Sequence, residues 1–463
     1  MKAVKTVYIV TDLGPGDGGK GGVVHAVANK TRAHTVVKVG GAQGCHGVRT
    51  AAGESGAFNQ WGCGTFEGIP THISSRLVVA PEDLHNEADR LRYQHGVHEP
   101  FELLTVDEEA LCATPFHRIA SSLKELARGN DPRGTIGTGV GEAYRDARRF
   151  PELAIRVRDL SRPDLADRLA AVREQIVRDL ESVVQGEFLP DDRAAVNEEI
   201  ELLHDPKVLG YVTKRFREIS KLAKIVDHGY LGREILSQDG AVVVESSHGI
   251  LTDHYLGFHL HTSAIRTLPR FARAMIEDAG YDGKIVSLGV TRAYAIRHGA
   301  GPMPTADETM GESLLPGSHK LDNRYQGKVR VGPLDLVLLR YAIAASGGPS
   351  AYDGLAISWF DQIVQNKEWR LCHRYRSADD ENFFTPSGDI KVRFGDDETQ
   401  LTRQEELTRQ LFDCRSEITT LKLSPSATPD ELYALCADTL REHLRVPVRM
   451  ISFGPTEREK MFK

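Results

Sequence analysis

Short β-rich runs alternate along this chain with stretches whose apolar residues recur at helical spacing, the pattern of strands joined through helices. The predicted strands are Thr6 to Val10, His34 to Val39, Ala241 to Glu245, Lys284 to Val290, Gly354 to Trp359 and Val446 to Phe453. The alternation predicts an α/β protein with a large, mostly parallel central sheet and flanking helices. From about Pro163 to Arg233 the chain is instead highly charged and helical in period. Leu165, Leu169, Val172, Ile176 and Leu180 share one face there, so the stretch reads as a helical excursion from the sheet. Thr428-Pro429-Asp430-Glu431 combines an N-cap, a first-turn proline and a capping-box glutamate, and predicts a helix running through Leu444 into the last strand. The polar stretch Ser377 to Glu406 reads as a surface hairpin or insertion. There is no internal repeat or low-complexity tract. Residues 1–463 are therefore expected to form a single domain with a helical insertion at about 163–233 and a surface insertion at about 377–406.

Composition narrows the partners. A formal charge of −7 over 463 residues, with no long lysine or arginine run, argues against nucleic acid or anionic membranes as the main partner but leaves small anionic ligands open. No stretch of about eighteen apolar residues occurs and the amino terminus leads straight into a strand, so neither a membrane span nor a signal peptide is indicated. A cytoplasmic location is expected. The six cysteines lack C-x-x-C spacing, which fits reduced thiols in the core better than a disulfide frame or a zinc site.

Chemistry concentrates at glycine-rich turns. Gly14-Pro15-Gly16-Asp17-Gly18-Gly19-Lys20-Gly21-Gly22 follows the first strand and opens a helix-like run, an arrangement suited to phosphate: backbone N–H groups, a lysine and a helix amino terminus. It meets most of the P-loop spacing, yet Gly21 stands where the magnesium-binding Ser or Thr belongs. Asp17 is the candidate to hold the metal instead. Gly40 to Gly47 places Gln43, Cys45 and His46 in a second turn. Gly134 to Gly141 resembles an anion nest with Thr135 and Thr138, followed by Arg148 and Arg149. Arg297 to Thr305 is a glycine and proline loop, and Gly454-Pro455 forms a corner after the last strand. Each has a plain structural reading as well. His46 alone reads as a hydrogen-bonded structural imidazole, the arginine pair as a solvated helix face, and His248 and His298 as caps on local carbonyls.

In combination and order these segments resemble the adenylosuccinate synthetase family. Its members carry G-D-E-G-K-G-K, G-G-x-N-A-G-H-T, T-T-G-R-G-I-G-P-A-Y with A-R-R and L-R-V-x-D-L, then E-G-A-Q-G-x-x-L-D, R-V-G-A-G-P-x-P-T-E, T-K-L-D and S-T-G-P-x-R. The corresponding segments here are Gly16 to Gly22, Gly40 to Gly47, Thr135 to Tyr144 with Ala147-Arg148-Arg149 and Ile155 to Leu160, Glu245 to Asp253, Arg297 to Thr305, Ser358 to Asp361 and Ser452 to Arg458. The resemblance is weak from Ala51 to Arg133, through the helical excursion, and from Trp369 to Ser424.

The resemblance implies an NTP-dependent C–N ligase. Such an enzyme removes the N1 proton of a 6-oxopurine nucleotide and phosphorylates O6, and the amine of an amino acid then displaces phosphate. By position Asp17 is the general base and a Mg2+ ligand, and His46 stabilises charge at O6 and on the transferring phosphoryl. Gly16, Gly18, Gly19, Lys20 and Gly21 correspond to the triphosphate loop, with Asp361, Gly454 and Pro455 at its base end. Gln43, Thr135, Thr138, Arg148, Arg149, His248 and Thr262 fall where the substrate nucleotide is held. Thr305, Arg324, Lys328 and Arg330 fall where the amino acid is held. A backbone carbonyl near Cys45 completes the metal shell, and an arginine of A-R-R crossing between subunits implies a homodimer with shared active sites.

Departures from the family pattern bear on the substrates. Gly18 replaces the loop glutamate, Gly22 the second loop lysine and His248 the glutamine of E-G-A-Q-G. Trp359 takes the lysine place of T-K-L-D, where it either stacks on a base or fills core. Asp361 keeps the acceptor guanine needs, so GTP is expected as phosphoryl donor with ATP the alternative. The loop Asn323 to Asp335 has two fewer arginines than the family's T-T-G-R-R-R-R-T-G-W-L-D, which leaves the amine donor open, with aspartate the first expectation. A phage branch of the family ligates aspartate to deoxyguanylate, and there a smaller residue replaces the loop aspartate because a 2-amino group would crowd a carboxylate at N1. Retention of Asp17 favours inosinate or an analogue. Deoxyguanylate ligation is the alternative. An ordinary P-loop NTPase and a nucleotide-binding homologue without chemistry are the readings from other classes.

Overall fold

The computed structural model describes residues 5–135, 137–315 and 327–463. An 11-stranded sheet runs in the order Lys460–Phe462, Val448–Ser452, Gly354–Ser358, Lys284–Arg292, Thr6–Asp12, Ala241–Gly249, Thr35–Gly41, Thr71–Val79, Leu104–Asp107 and Lys224–Val226, with Leu111–Cys112 beside Thr71–Val79. Every pairing is parallel except that of the last two strands in sequence. All six predicted strands lie in this sheet, as the alternation of strand and helix requires. The strands Thr71–Val79 and Leu104–Asp107 were not anticipated. Polar residues His72, Ser74, Ser75 and Arg76 break the apolar run of the former, although the sheet buries most of it.

Thr6–Asp12 occupies the middle of the sheet, and Val7, Ile9 and Val10 are fully buried between layers. The helix Lys20–Thr31 returns across one face and buries Val23, Val24 and Val27 there. In the helical excursion, Leu165–Val184 buries the same five residues that define its apolar face, and Arg193–His204 and Pro206–Leu222 complete the group. The chain then rejoins the sheet edge at Lys224–Val226. Helix Pro429–Leu444 starts as its sequence requires: Thr428 Oγ1 accepts from Glu431 N and Glu431 Oε2 accepts from Thr428 N.

Much of the stretch expected as a surface hairpin or insertion is exposed, and Phe384 and Ile390 form an antiparallel bridge within it. Phe383, Phe384 and Ile390 are buried in the second large core, beside Leu407 and Leu411 of the helix Glu398–Asp413. These apolar residues are spaced irregularly among charges, so no period in the sequence marks them as core. No helix among the described residues is long and apolar enough to cross a membrane.

Candidate active site

The carboxyl ends of the parallel strands form one rim, where open α/β sheets bind ligands. The first strand ends in Asp12, which is fully buried and organises the glycine loop from inside. Its carboxylate accepts from Gly14 N at 2.8 Å, from Gly18 N at 2.7 Å and from Lys20 Nζ at 2.9 Å. A Cβ on Gly18 would sit 2.6 Å from Asp12 Oδ2, so the acid that the family carries at this loop position is excluded here by one on the strand. A Cβ on Gly21 would meet the Gly47 carbonyl oxygen at 2.4 Å, so the P-loop hydroxyl has no room. The ordinary P-loop reading fails on this packing. Gly22 faces Lys460, whose Cε lies 3.4 Å from the Cβ position. Lys460 Nζ donates to the Pro455 and Thr456 carbonyls, and burial lowers its pKa to about 8.

Backbone strain marks the same rim. Among the described residues, seven that are not glycine have positive φ: Asp17, Arg32, His248, Trp359, Lys367, Ser377 and Arg445. Arg32, Lys367 and Arg445 are ordinary left-handed helix C-caps. Asp17, His248 and Trp359 instead follow or end central strands, where this conformation stores about 1–3 kcal/mol each and points to function. Asp17 Oδ2 lies 3.3 Å from His298 Nδ1, and its carbonyl accepts from Arg292 Nε at 2.6 Å.

His46 stands across the rim. Its Nδ1 is 2.5 Å from Glu245 Oε1, and Lys38 Nζ donates to that same oxygen at 2.7 Å. Cys63 N donates to Glu245 Oε2 at 2.9 Å. Burial alone would raise the Glu245 carboxyl, but Lys38 and His46 outweigh it and hold the group well below the usual range. Burial, reinforced by the Lys38 charge, lowers His46 to about 4, which favours the neutral imidazole with Nδ1–H on Glu245. His46, Cys63 and Glu245 are close enough to share a metal ion. The arrangement speaks against one: Lys38 already occupies Glu245, and burial pushes the Cys63 thiol well up and keeps it protonated.

The other predicted residues fall into groups. Gln43 Nε2 and His248 Nε2 lie 2.5 Å apart, and Gln43 Oε1 is buried without a hydrogen-bond partner among the described residues. Burial lowers His248 to about 3, with the Lys20 charge adding to the effect. Among the described residues, neither His248 nor His298 has the local-carbonyl contact of a simple cap. Thr135 Oγ1 accepts from Gly137 N at 3.2 Å and lies 3.2 Å from Ser121 Oγ, which shapes the turn that also holds Thr138. Tyr255 holds the Arg148 guanidinium above its usual pKa, while Arg149 pairs with Asp179 at 3.0 Å. Thr262 is half-buried.

Arg330 Nη2 donates to the carbonyls of Gly299 and Gly301, bracing the Arg297–Thr305 loop. Arg297, opposite Arg330 in the strand register, is lowered to about 9 by burial and then by Arg330. Neither arginine has a carboxylate partner among the described residues. Thr305 Oγ1 is buried and likewise unpartnered there, and Lys328 is exposed. Arg324 lies outside the described residues. At the far end Asp361 Oδ2 accepts from Gln362 at 2.8 Å, and burial raises its pKa. Trp359 is 37% exposed, so it does not fill core. The Gly454-Pro455 corner follows the neighbouring strand.

Asp12, Lys38, Glu245, Arg292, Arg297, His298 and Lys460 were not among the predicted site residues. Three carried a signal: Lys38 interrupts an apolar strand, and Asp12 and Glu245 each close an apolar run. Lys38 and Glu245 meet only through the register of neighbouring strands, whereas Asp12 is engaged by the loop and helix that follow it.

For Mg2+, the Asp17 carboxylate and the Cys45 carbonyl are hard oxygen donors of the required kind, whereas the Cys45 thiol is not. These residues fit the ion.

Fold and rim together define a doubly covered, mostly parallel α/β protein with a glycine loop, its acid and a buried histidine at the carboxyl ends of the central strands. Residues 9–462 match the adenylosuccinate synthetase family, and the chain belongs to that family of nucleotide-dependent C–N ligases. It is 27% identical to an adenylosuccinate synthetase of Chlorobium limicola over 100% of this chain and 98% of the relative. It is 28% identical to one from Clostridium beijerinckii over 66% of this chain and 67% of the relative. In fold it is similar to fully ligated adenylosuccinate synthetase from Plasmodium falciparum (TM-score 0.75, 16% identity, 99% of each chain). It is also similar to the cyanophage S-2L succinoaminodeoxyadenylate synthetase PurZ bound to dGMP and dATP (TM-score 0.55, 16% identity, 99% of this chain and 95% of that one).

Proposed function

We propose that this enzyme joins the amine of an amino acid, aspartate first, to C6 of inosinate or a close analogue through a 6-phosphoryl intermediate, with GTP as phosphoryl donor. One observation carries the reading: Asp17 and His46, the two residues the chemistry needs, are each held by dedicated partners on the same rim. Asp17 takes the N1 proton. His46 keeps Nδ1–H on Glu245 and turns Nε2 to the reacting oxygen. An arriving phosphoryl favours uptake of a proton from water at Nε2, so the imidazolium places positive charge where negative charge develops. Mg2+, held by Asp17 and the Cys45 carbonyl, would supply charge neutralisation on the triphosphate.

The glycine-loop amides, from Gly16 through Gly21, and Lys20 cradle phosphates, while Trp359, Asp361, Gly454 and Pro455 wall the base. Gln43 and His248 read the purine edge. Thr135, Thr138 and Thr262 serve the monophosphate, with Arg148 or Arg149 of a second subunit in a homodimer. Arg297 and Arg330, which have no carboxylate partner among the described residues, suit a donor bearing carboxylates, together with Thr305, Lys328 and, by sequence position, Arg324. The six scattered cysteines go with a cytoplasmic setting.

The test crosses inosinate, deoxyguanylate and related nucleotides with aspartate and other amines, under GTP or ATP, and reads adduct mass. Inosinate with aspartate and GTP is the expected pair, and deoxyguanylate as the sole acceptor would reassign the substrate. Nucleotide binding with no adduct from any combination would overturn the catalytic reading. Mixing inactive Arg148→Ala and Asp17→Ala proteins should restore activity at a shared site, whereas persistent inactivity speaks against the shared arginine.

A further inference from the structure

Arg292 ends the strand Lys284–Arg292 and is 4% exposed, yet no carboxylate among the described residues pairs with it. Its guanidinium instead joins three parts of the rim. Nε donates to the Asp17 carbonyl at 2.6 Å, and Nη1 donates to Tyr294 Oη at 2.6 Å. The guanidinium carbon lies 4.4 Å from the centroid of the Trp359 ring. Tyr294 in turn donates to the Leu314 carbonyl at 2.9 Å, just before the segment that carries Arg324. The two residues Arg292 touches at the phosphate loop and at the base wall, Asp17 and Trp359, are both left-handed non-glycine positions, with φ of 62° and 58°. A left-handed residue needs a neighbour to hold it. One planar cation holds both, by hydrogen bond on one side and by its face on the other.

We propose that Arg292 is a positioning residue that couples the triphosphate's base at Trp359 to the aim of the Asp17 carboxylate. A base stacked on the open face of Trp359 presses the indole onto the guanidinium, and the guanidinium fixes the peptide that follows Asp17. The device makes deprotonation of the purine depend on a filled triphosphate site. This inference rests on the ligase reading for the identity of the substrates, but its test does not require turnover.

Trp359 is the readout. The chain has three tryptophans, and Trp61 and Trp369 are fully buried while Trp359 is 37% exposed. Addition of a non-hydrolysable GTP analogue should therefore change the emission of Trp359, and Trp359→Leu should remove that change. In calorimetry the analogue should tighten inosinate binding by about tenfold, within the usual range of coupling between sites. Arg292→Gln should keep the emission change but lose the tightening, and Arg292→Lys, which restores one donor without the stacking plane, should recover part of it. In turnover, Arg292→Gln should lower kcat about a hundredfold with KM for the triphosphate within about threefold, as expected for a misaimed base.

If Arg292→Gln and Arg292→Lys both keep the full tightening of inosinate, the proposal is overturned. An unchanged emission in the wild-type protein saturated with the analogue would also overturn it. A wild-type protein that shows the linkage while forming no adduct supports the coupling and sinks the ligase reading, so the two failures are separable. Should Arg292→Gln fail to fold, Arg292→Lys alone decides.

Discussion

Asp12 is one carboxylate with three loop donors and almost no exposure, and its removal would leave the Lys20 ammonium and two amides buried without partners. Asp12→Ala should lose about 3–5 kcal/mol of unfolding free energy, measured by urea titration, because breaking a buried pair strands the other charge. Glu245→Gln strands Lys38 in the same way and deprives His46 of its ionised acceptor. It should lower both the melting temperature and kcat, the latter by about a hundredfold. Wild-type kcat in that variant would remove His46 from the proposed mechanism. Asp17→Asn should abolish adduct formation, a loss of about a hundredfold or more, while the saturating GTP analogue still changes Trp359 emission. Asp17 and His46 were legible in the sequence because the loops that carry them are motifs. Asp12 and Glu245 were not, since a single acid at a strand end has no meaning until the strands beside it are known.

At the scale of elements, the glycine loop and the strand before it form one unit whose acid has a different address from the family pattern. The position of Asp12 explains Gly18, which the sequence presents only as a departure. Gly18→Glu alone should be destabilised by about 1–3 kcal/mol through overpacking against Asp12, and adding Asp12→Gly should recover much of that loss. Melting temperatures of the two singles and the double decide it, and equal loss in single and double would refute the exchange. Trp359 teaches the same lesson from the other side: two readings of its sequence position were open, and its exposure above Arg292 decides against core. Helix Pro429–Leu444 and the apolar face of Leu165–Val184 needed no such help, because capping and periodicity are local properties.

At the scale of the whole molecule, burial lowers the pKa of two histidines that the proposed mechanism does not use. His72 and His117 are both lowered from 6.5 to about 4, chiefly by burial. Between those values the unfolded chain binds protons that the folded chain refuses, so stability is complete above pH 6.5 and declines as pH falls toward 4. Each histidine contributes about 1.4 kcal/mol of loss per pH unit in that window. Urea unfolding at pH 7.5 and pH 5 should show the decline, and His72→Phe should make it shallower. An unchanged slope in that variant would exclude His72 as a source.

What the sequence determined by itself was whatever short-range chemistry writes down: strand and helix alternation, helix caps, the glycine turns and the order of motifs that placed Asp17 and His46. Tertiary structure alone decided which polar residues face one another. Lys38 meets Glu245 across neighbouring strands 207 residues apart, and Arg292 reaches Asp17 across 275. Such pairs depend on strand order and register, which no local pattern encodes. The burial of Phe383, Phe384 and Ile390 was hidden for the same reason, since the apolar surface that covers them comes from elsewhere in the chain.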